Sequence, residues 1–283
     1  MKVLVTGAAG QLGGVICEEF GDDDVVPLTR ADLDLTDHSA VVRTVQQQEP
    51  AVIINCAAYN RVDDAEDDAL NALAVNAFGV RSLARAATDV GAVLVHYSTD
   101  FVFDGDASTP YTEADTPNPR SVYGVSKLLG EWFALDMPSA YVLRVESLFG
   151  GSPARSSVDW IIDAILDWRE VRVFTDRTVS PSYVHDVART TRSLIESDAP
   201  LGLYHCVNSG HGTWGEVAEE IARQVRVEPR LVPVALETAG LRAARPKYCA
   251  LSNAGLAAVG VRLPTWQDAV RRHLQSRRST PDP

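Results

Sequence analysis

Along the first half of the chain, short apolar runs rich in β-branched residues alternate with longer amphipathic stretches. Residues 2–6, 24–28, 51–55, 92–97 and 140–145 read as strands, with helical patterns between them. Val52, Ile53 and Ile54 are apolar without alternation, as expected of a strand covered on both faces of a parallel sheet. The strand and helix rhythm predicts an α/β fold, a doubly wound parallel sheet with right-handed crossovers. After about residue 148 the rhythm breaks into turn-rich pieces, isolated strands near 171–174 and 203–207, and helices near 214–225 and 266–275. This predicts one unit over 1–147, to which a segment near 180–205 returns, and a smaller C-terminal α/β unit over 148–283. The polar stretch 276–283 is expected to fray.

The first strand runs into Gly7-Ala8-Ala9-Gly10-Gln11-Leu12-Gly13 and then a helical pattern. Glycine lets a strand-to-helix turn open and lets backbone N–H groups approach a pyrophosphate at the helix N-terminus. The order of strand, glycine turn and helix therefore predicts a Rossmann-type, dinucleotide-binding unit. A residue at the end of the second strand selects the cofactor, an acid for a free ribose 2′-OH and a cation for a 2′-phosphate. The chain has Thr29 and Arg30 there, which predicts NADPH, with NADH as the alternative. Arg30 is equally readable as a solvated loop charge.

Ser98 and Thr99 follow the strand at 92–97, and Tyr123-Gly124-Val125-Ser126-Lys127 opens a later helix. Tyr and Lys four apart share a helix face. An ammonium beside a phenol stabilises the phenolate, so Lys127 is expected to lower the pKa of Tyr123 and suit it to acid or base work. Lys127 is also expected to reach the nicotinamide ribose, and Thr99 or Ser98 a substrate carbonyl. A helix-surface pair with no chemistry is the competing reading of Tyr123 and Lys127.

Composition narrows the field. With 283 residues, 46% of them hydrophobic, the chain can bury one large or two modest cores, and a net charge of -12 argues against a nucleic-acid partner. Only Lys2, Lys127 and Lys247 are lysines. Cys17, Cys56, Cys206 and Cys249 lie far apart, without metal-ligand spacing, so no metal site and a reducing, cytoplasmic compartment are expected. Cys56 reads as a packing group, and Trp160 and Trp168 as core or interface anchors. Neither a secretory segment nor a bilayer-spanning stretch is recognisable, and no membrane association is expected.

Together the glycine loop and the Thr99, Tyr123, Lys127 set resemble the extended short-chain dehydrogenase/reductase family. Asn76-Ala77-Phe78-Gly79-Val80 and Asp32-Leu33-Asp34-Leu35 are similar to further segments of it. Asn55-Cys56-Ala57-Ala58-Tyr59, Val62-Asp63-Asp64-Ala65-Glu66, residues 98–105, residues 180–188 and Ala244-Arg245-Pro246-Lys247 are closest to its dTDP-4-dehydrorhamnose reductase branch. The resemblance implies NADPH-dependent reduction of the C4 ketone of a nucleotide-linked 6-deoxyhexose, with Thr99, Tyr123 and Lys127 catalytic. It implies cofactor contacts from Gly7, Gly10, Gln11, Leu12, Gly13, Arg30, Asp34, Leu35, Ala57, Ala58 and Tyr59. Val62, Asp63, Asp100, Ser147, Arg245 and Lys247 become the implied substrate contacts, the two cations being candidates for the diphosphate. In this reading 148–283 is the substrate-binding unit, and a homodimer is the family-level expectation. One departure stands out: Ser147 stands where these reductases carry a Trp, so a ring that could stack on substrate is missing, and Glu146 adds an acid. A nucleotide-sugar 4-epimerase or dehydratase on the same site, or a non-catalytic cofactor-binding subunit, remain the alternatives.

Overall fold

The computed structural model describes residues 1–279. The first half forms β1 (Lys2–Thr6), α1 (Gln11–Glu19), β2 (Asp24–Leu28), α2 (His38–Gln48), β3 (Val52–Asn55), α3 (Ala69–Leu73), a π-helical turn (Ala74–Gly79), α4 (Val80–Val90), β4 (Val93–Thr99), α5 (Val122–Leu135) and β5 (Ala140–Val145). Then follow β6 (Leu148–Phe149), α6 (Ser157–Leu166), β7 (Glu170–Phe174), β8 (Thr178–Val179), β9 (Ser182–Tyr183), α7 (Val184–Glu196) and β10 (Gly202–His205). The chain ends in β11 (Gly212–Thr213), α8 (Trp214–Val225), β12 (Arg230–Val234), α9 (Ala254–Ala258) and α10 (Trp266–Ser279).

Six strands build the main sheet in the order β2-β1-β3-β4-β5-β10, with every neighbouring pair parallel. The order reverses between β1 and β3, and ligands of open α/β sheets bind beyond the strand ends at such a point. Val3, Val5 and Ile54 face α1 and α7 on one side of the sheet, in one core with Ile16 and Val187. Leu4, Ile53 and Leu94 face the other side, with Val45, Leu83 and Ala134. Both faces are covered, which is why the sheet strands are apolar throughout rather than alternating.

A second core joins α6, α8 and α10 around Ile162, Val217 and Val270, and β12 pairs with β7 in parallel. β10 leaves this region and pairs with β5 at the edge of the main sheet.

Two expectations need correction. Trp160 and Trp168 are exposed rather than in a core; Trp160 lies on the outer face of α6, and Trp168 lies past its end in the left-handed region, φ 57°. The helical pattern at 266–275 also continues to Ser279, because Arg277 pairs with Asp159 and Asp163 of α6 and ties down the last turn. Residues 280–283 of the stretch expected to fray lie outside the described residues. Among the described residues no helix is long and apolar enough to cross a membrane.

Candidate active site

The glycine turn is shaped by how closely backbone packs there. Gly7 has φ +70°, and a Cβ on it would meet the Ala57 backbone nitrogen at 2.7 Å. A Cβ on Gly13 would sit 2.2 Å from the Gly7 carbonyl oxygen. Only glycine permits both approaches. They bring the N-terminus of α1 against the loop after β3, and Gly10 caps α1 without a side-chain hydrogen bond. The first-turn N–H groups and the positive end of the helix are thus left to a ligand, as a pyrophosphate requires.

A cleft of about 310 Å³ opens at this point. Gly7, Gly10, Arg30, Asp34, Leu35, Ala57, Ala58 and Tyr59 all line it. Leu12 is turned into the core, and the Gln11 side chain donates to the Gly150 carbonyl oxygen at 2.7 Å. Those two residues, with Gly13, can offer a ligand backbone only. Arg30 is exposed at the cleft's edge. The residues fit a dinucleotide: a Cβ-free cradle, uncapped helix N–H groups and a cation beside the second strand.

Two asparagines hold the far wall. Asn55 at the end of β3 accepts from Thr6 Oγ1 at 2.7 Å and from the Ala57 N–H at 3.2 Å, and its amide lies 3.1 Å from His96 Nδ1. Asn76, in the π-helical turn, accepts from the Tyr59 N–H at 2.8 Å and donates to the Tyr59 carbonyl oxygen at 2.9 Å. The Tyr59 backbone is therefore pinned from both sides.

The reacting groups meet at the end of β4 and the start of α5. Ser121 caps α5 by accepting from the Gly124 N–H at 3.1 Å. A Cβ on Gly124 would meet the Phe101 carbonyl oxygen at 2.3 Å, so glycine lets α5 press onto the turn after β4. That contact brings the Tyr123 phenol up to the Thr99 hydroxyl. Phe101 packs edge-on against the Tyr123 ring, with centroids 5.5 Å apart.

Here the expected influence of Lys127 is overturned. The Lys127 ammonium is buried and donates to the Tyr97 carbonyl oxygen at 2.5 Å. Burial lowers its own pKa to about 8. Tyr123 is pushed up to about 12, chiefly by burial and then by the charge of Asp100, with the nearby Thr99 hydroxyl working in the opposite direction. Desolvation penalises the phenolate more than any nearby cation rewards it, so Tyr123 is a protonated phenol at neutral pH.

Behind Thr99 lies a buried polar cluster that the sequence did not announce. Asp100 Oδ1 accepts from Thr99 Oγ1 at 3.0 Å. Glu146 Oε2 accepts from the Ser180 N–H at 2.6 Å. Arg177 packs over Phe101, 5.5 Å from the ring centre, and reaches Cys249 Sγ at 3.7 Å and Asp100 Oδ2 at 4.0 Å. Asp100, Glu146 and Cys249 carry ligand-type atoms within 4.8 Å of one another, but the Arg177 guanidinium supplies positive charge to that group. Burial raises the pKa of both carboxyls, Glu146 the more strongly and further raised by the charge of Asp100.

The implied substrate residues divide into two sets. Asp100 is beside the trio. Ser147, half-buried with φ 45°, accepts from the Ser182 N–H at 3.3 Å, and no ring stands there. Gly105, φ +84°, lies against Pro246, and its carbonyl accepts from the Tyr248 N–H at 3.1 Å. This docks the 244–247 segment on the turn after β4. Arg245 nevertheless grips Asp63, beside half-buried Val62, and packs over Phe101 at 5.7 Å. Lys247 is exposed, 3.8 Å from Asp176. A second cleft, of about 350 Å³, was not foreseen: Arg155, Arg172 and Arg177 line it together with Trp160, Phe174 and Trp214. Its arginines sit in turns and on a strand edge, where no periodicity flags a charge as functional.

The family described as RmlD substrate binding domain matches residues 1–279. The chain is 37% identical over 278 residues to dTDP-4-dehydrorhamnose reductase of Streptomyces griseus, covering 94% of this chain and 91% of that one. It is 34% identical over 284 residues to spore coat polysaccharide biosynthesis protein SpsK of Bacillus subtilis, covering 99% of each. The crystal structure of dTDP-4-dehydrorhamnose reductase from Bacillus anthracis in complex with NADP superposes with a TM-score of 0.92 at 35% identity, over 97% of this chain and 99% of that one. With its glycine cradle, its Thr99, Tyr123 and Lys127 set and this likeness along its whole length, the chain belongs to the RmlD substrate binding domain family, the dTDP-4-dehydrorhamnose reductases of the extended short-chain dehydrogenase/reductase class.

Proposed function

We propose that the protein reduces the C4 ketone of a nucleotide-activated 6-deoxyhexose with NADPH, dTDP-4-dehydrorhamnose being converted to dTDP-rhamnose. The observation that carries this reading is that Thr99 and Tyr123 come together at the end of β4, one helical turn from the buried Lys127 ammonium, in a chain that also builds the glycine-framed cleft. Gly7, Gly10 and the first turn of α1 would hold the pyrophosphate, Arg30 the 2′-phosphate, and Lys127 the nicotinamide ribose. NADPH, when bound, supplies the hydride that reaches C4.

The chain's own residues do the rest. Thr99 orients the substrate carbonyl and polarises it by hydrogen bonding. Tyr123, kept protonated by burial, gives its phenolic proton to the C4 oxygen as negative charge develops there. An aliphatic alkoxide is far more basic than a phenolate, even one with a pKa near 12, so this transfer runs downhill. The ammonium of Lys127, fixed by the Tyr97 carbonyl, contributes positive charge near the phenolate that results.

For the diphosphate, Arg155, Arg172 and Arg177 offer guanidinium groups in the second cleft, and its aromatic lining offers a face to the base. Arg245 and Lys247 remain candidates where the sugar joins the diphosphate, as do Val62, Asp63 and Ser147 around the sugar. The four cysteines are all unpaired, which supports work in a reducing cytoplasm. Exposed Phe78, Trp132 and Leu135 are apolar surface consistent with a homodimer. The test is oxidation of NADPH over a panel of 4-keto-6-deoxy nucleotide sugars, with the product identified by NMR. Reduction at C4 is expected; an unreduced epimer, or no turnover with any of them, would reject the reading.

A further inference from the structure

Tyr123, half-buried at the mouth of the site, gives up a proton in each turnover and is closed off from bulk water once cofactor and substrate lie over it, so it must be reloaded. Its neighbour Thr99 is the first step of a path away from the substrate side. Thr99 Oγ1 donates to Asp100 Oδ1 at 3.0 Å and accepts from the Phe101 N–H at 3.2 Å, which leaves one lone pair for Tyr123. Asp100 is 3% exposed, and its Oδ2 has no hydrogen-bond partner. Glu146, 2% exposed, is held through Oε2 by the Ser180 N–H, while its Oε1 is likewise without a partner. Carboxylate oxygens of the two residues lie within 4.8 Å, a gap that a small rotation or one bridging water closes.

The groups facing this pair are few. Among the described residues Arg177 is the one cation, 4.0 Å from Asp100 Oδ2. Cys249 lies beside Asp100 with its thiol donating to the Pro246 carbonyl oxygen at 3.3 Å, and Tyr248 feels the charge of Glu146. Two ionised carboxylates against one guanidinium leave a surplus negative charge in a buried site, so one proton is retained.

We propose that Asp100 and Glu146 share one proton and pass it, through the Thr99 hydroxyl, to Tyr123 each time Tyr123 gives its own to the substrate. The proton balance is simple. The Tyr123 O–H bond breaks and a C4 O–H bond forms; the Thr99 proton moves to the phenolate; Asp100 returns a proton to Thr99 and takes one from Glu146. The pair is left with no proton and is refilled from solvent once product has gone. Asp100 and Glu146 act through Thr99 and are positioning residues in this scheme. The inference rests on the proposed carbonyl reduction.

Infrared spectra of the cofactor-free protein test the pair without relying on turnover. Wild type at neutral pH should show the C=O stretch of a buried protonated carboxyl, and Glu146→Gln should lack it. In the reductase assay Glu146→Gln should lose on the order of tenfold to a hundredfold in kcat, keep its KM for NADPH, lose the alkaline fall in rate that marks deprotonation of the pair, and gain a larger solvent isotope effect. A wild type without that band, or a Glu146→Gln enzyme with wild-type kcat and pH profile, overturns the proposal. Should Glu146→Gln fail to fold, Asp100→Asn must shift or remove the same band, and a band indifferent to it also overturns the pair. A wild type that shows the band yet reduces no 4-keto sugar rejects the reductase reading and the relay with it, while leaving the shared proton established.

Discussion

The Arg245 guanidinium meets Asp63 fork to fork, Nη1 to Oδ1 at 3.1 Å and Nη2 to Oδ2 at 3.0 Å, joining the loop after β3 to the segment that docks behind Thr99. The Ala243 N–H, followed by Arg245, holds the Asp63 carboxyl below its ordinary pKa. A substrate phosphate would have to compete with Asp63 for this cation. Asp63→Asn should therefore lower the KM for the nucleotide sugar and Arg245→Ala should raise it. A double-mutant cycle by urea unfolding should find about 1 kcal/mol of coupling between the two positions.

Tyr123→Phe removes the proton donor while keeping the ring against Phe101. Turnover should fall by about 10² to 10⁴, the range for losing a general acid, and the dissociation constant for NADPH, read by fluorescence titration, should stay at the wild-type value.

Arg30 separates the two nicotinamide cofactors. A charge-assisted hydrogen bond to a 2′-phosphate contributes about 1.5–3 kcal/mol, so Arg30→Ala should weaken NADPH by roughly ten- to a hundredfold. NADH kinetics should not change, since its ribose offers no phosphate to lose.

Acid sensitivity should trace to His205. Its ring is fully buried, Nδ1 bonding the Tyr111 carbonyl and Nε2 facing Arg144 Nη1 at 3.4 Å. Burial first, then the Arg144 charge, depress its pKa to about 3. The unfolded chain protonates this histidine below about 6.5 and the folded chain does not, so folding stability is full above that value and is lost as pH falls toward 3. The slope is about 1.4 kcal/mol per pH unit for one such group. Urea unfolding of His205→Gln should show a shallower acid loss than wild type, with His96, also held below its ordinary pKa by burial, accounting for part of what remains.

The sheet was legible because its strands carry a signal that burial on both faces enforces. Val52, Ile53 and Ile54 could hardly sit elsewhere, and the glycine at 7 could be read from the strand before it and the helix after it. Thr99, Tyr123 and Lys127 were legible as residue types, but the direction of the Tyr123 shift was not: it depends on how much water the folded chain removes, and spacing alone carries no information on that. Arg177 and Glu146 were harder. Glu146 registered only as a departure from the reductase pattern, and Arg177 lies in a polar turn like any solvated arginine. Their meaning comes from β7, β8 and the 248–249 segment converging on Asp100, contacts between positions far apart in the chain.

The π-helical turn at Ala74–Gly79 makes the helical stretch before β4 one residue longer than its ends demand. Within that surplus, Asn76 is turned toward Tyr59, and its carbonyl lies so close to α5 that a Cβ on Gly130 would come within 2.2 Å. A point substitution in this turn tests one side chain; removal of a single residue would re-phase the whole face. The helix could then close as ordinary α-helix at little backbone cost, and the price would fall on the cleft wall that Asn76 holds. The turn thus makes the cleft wall depend on the length of this helix as well as on the side chain at position 76.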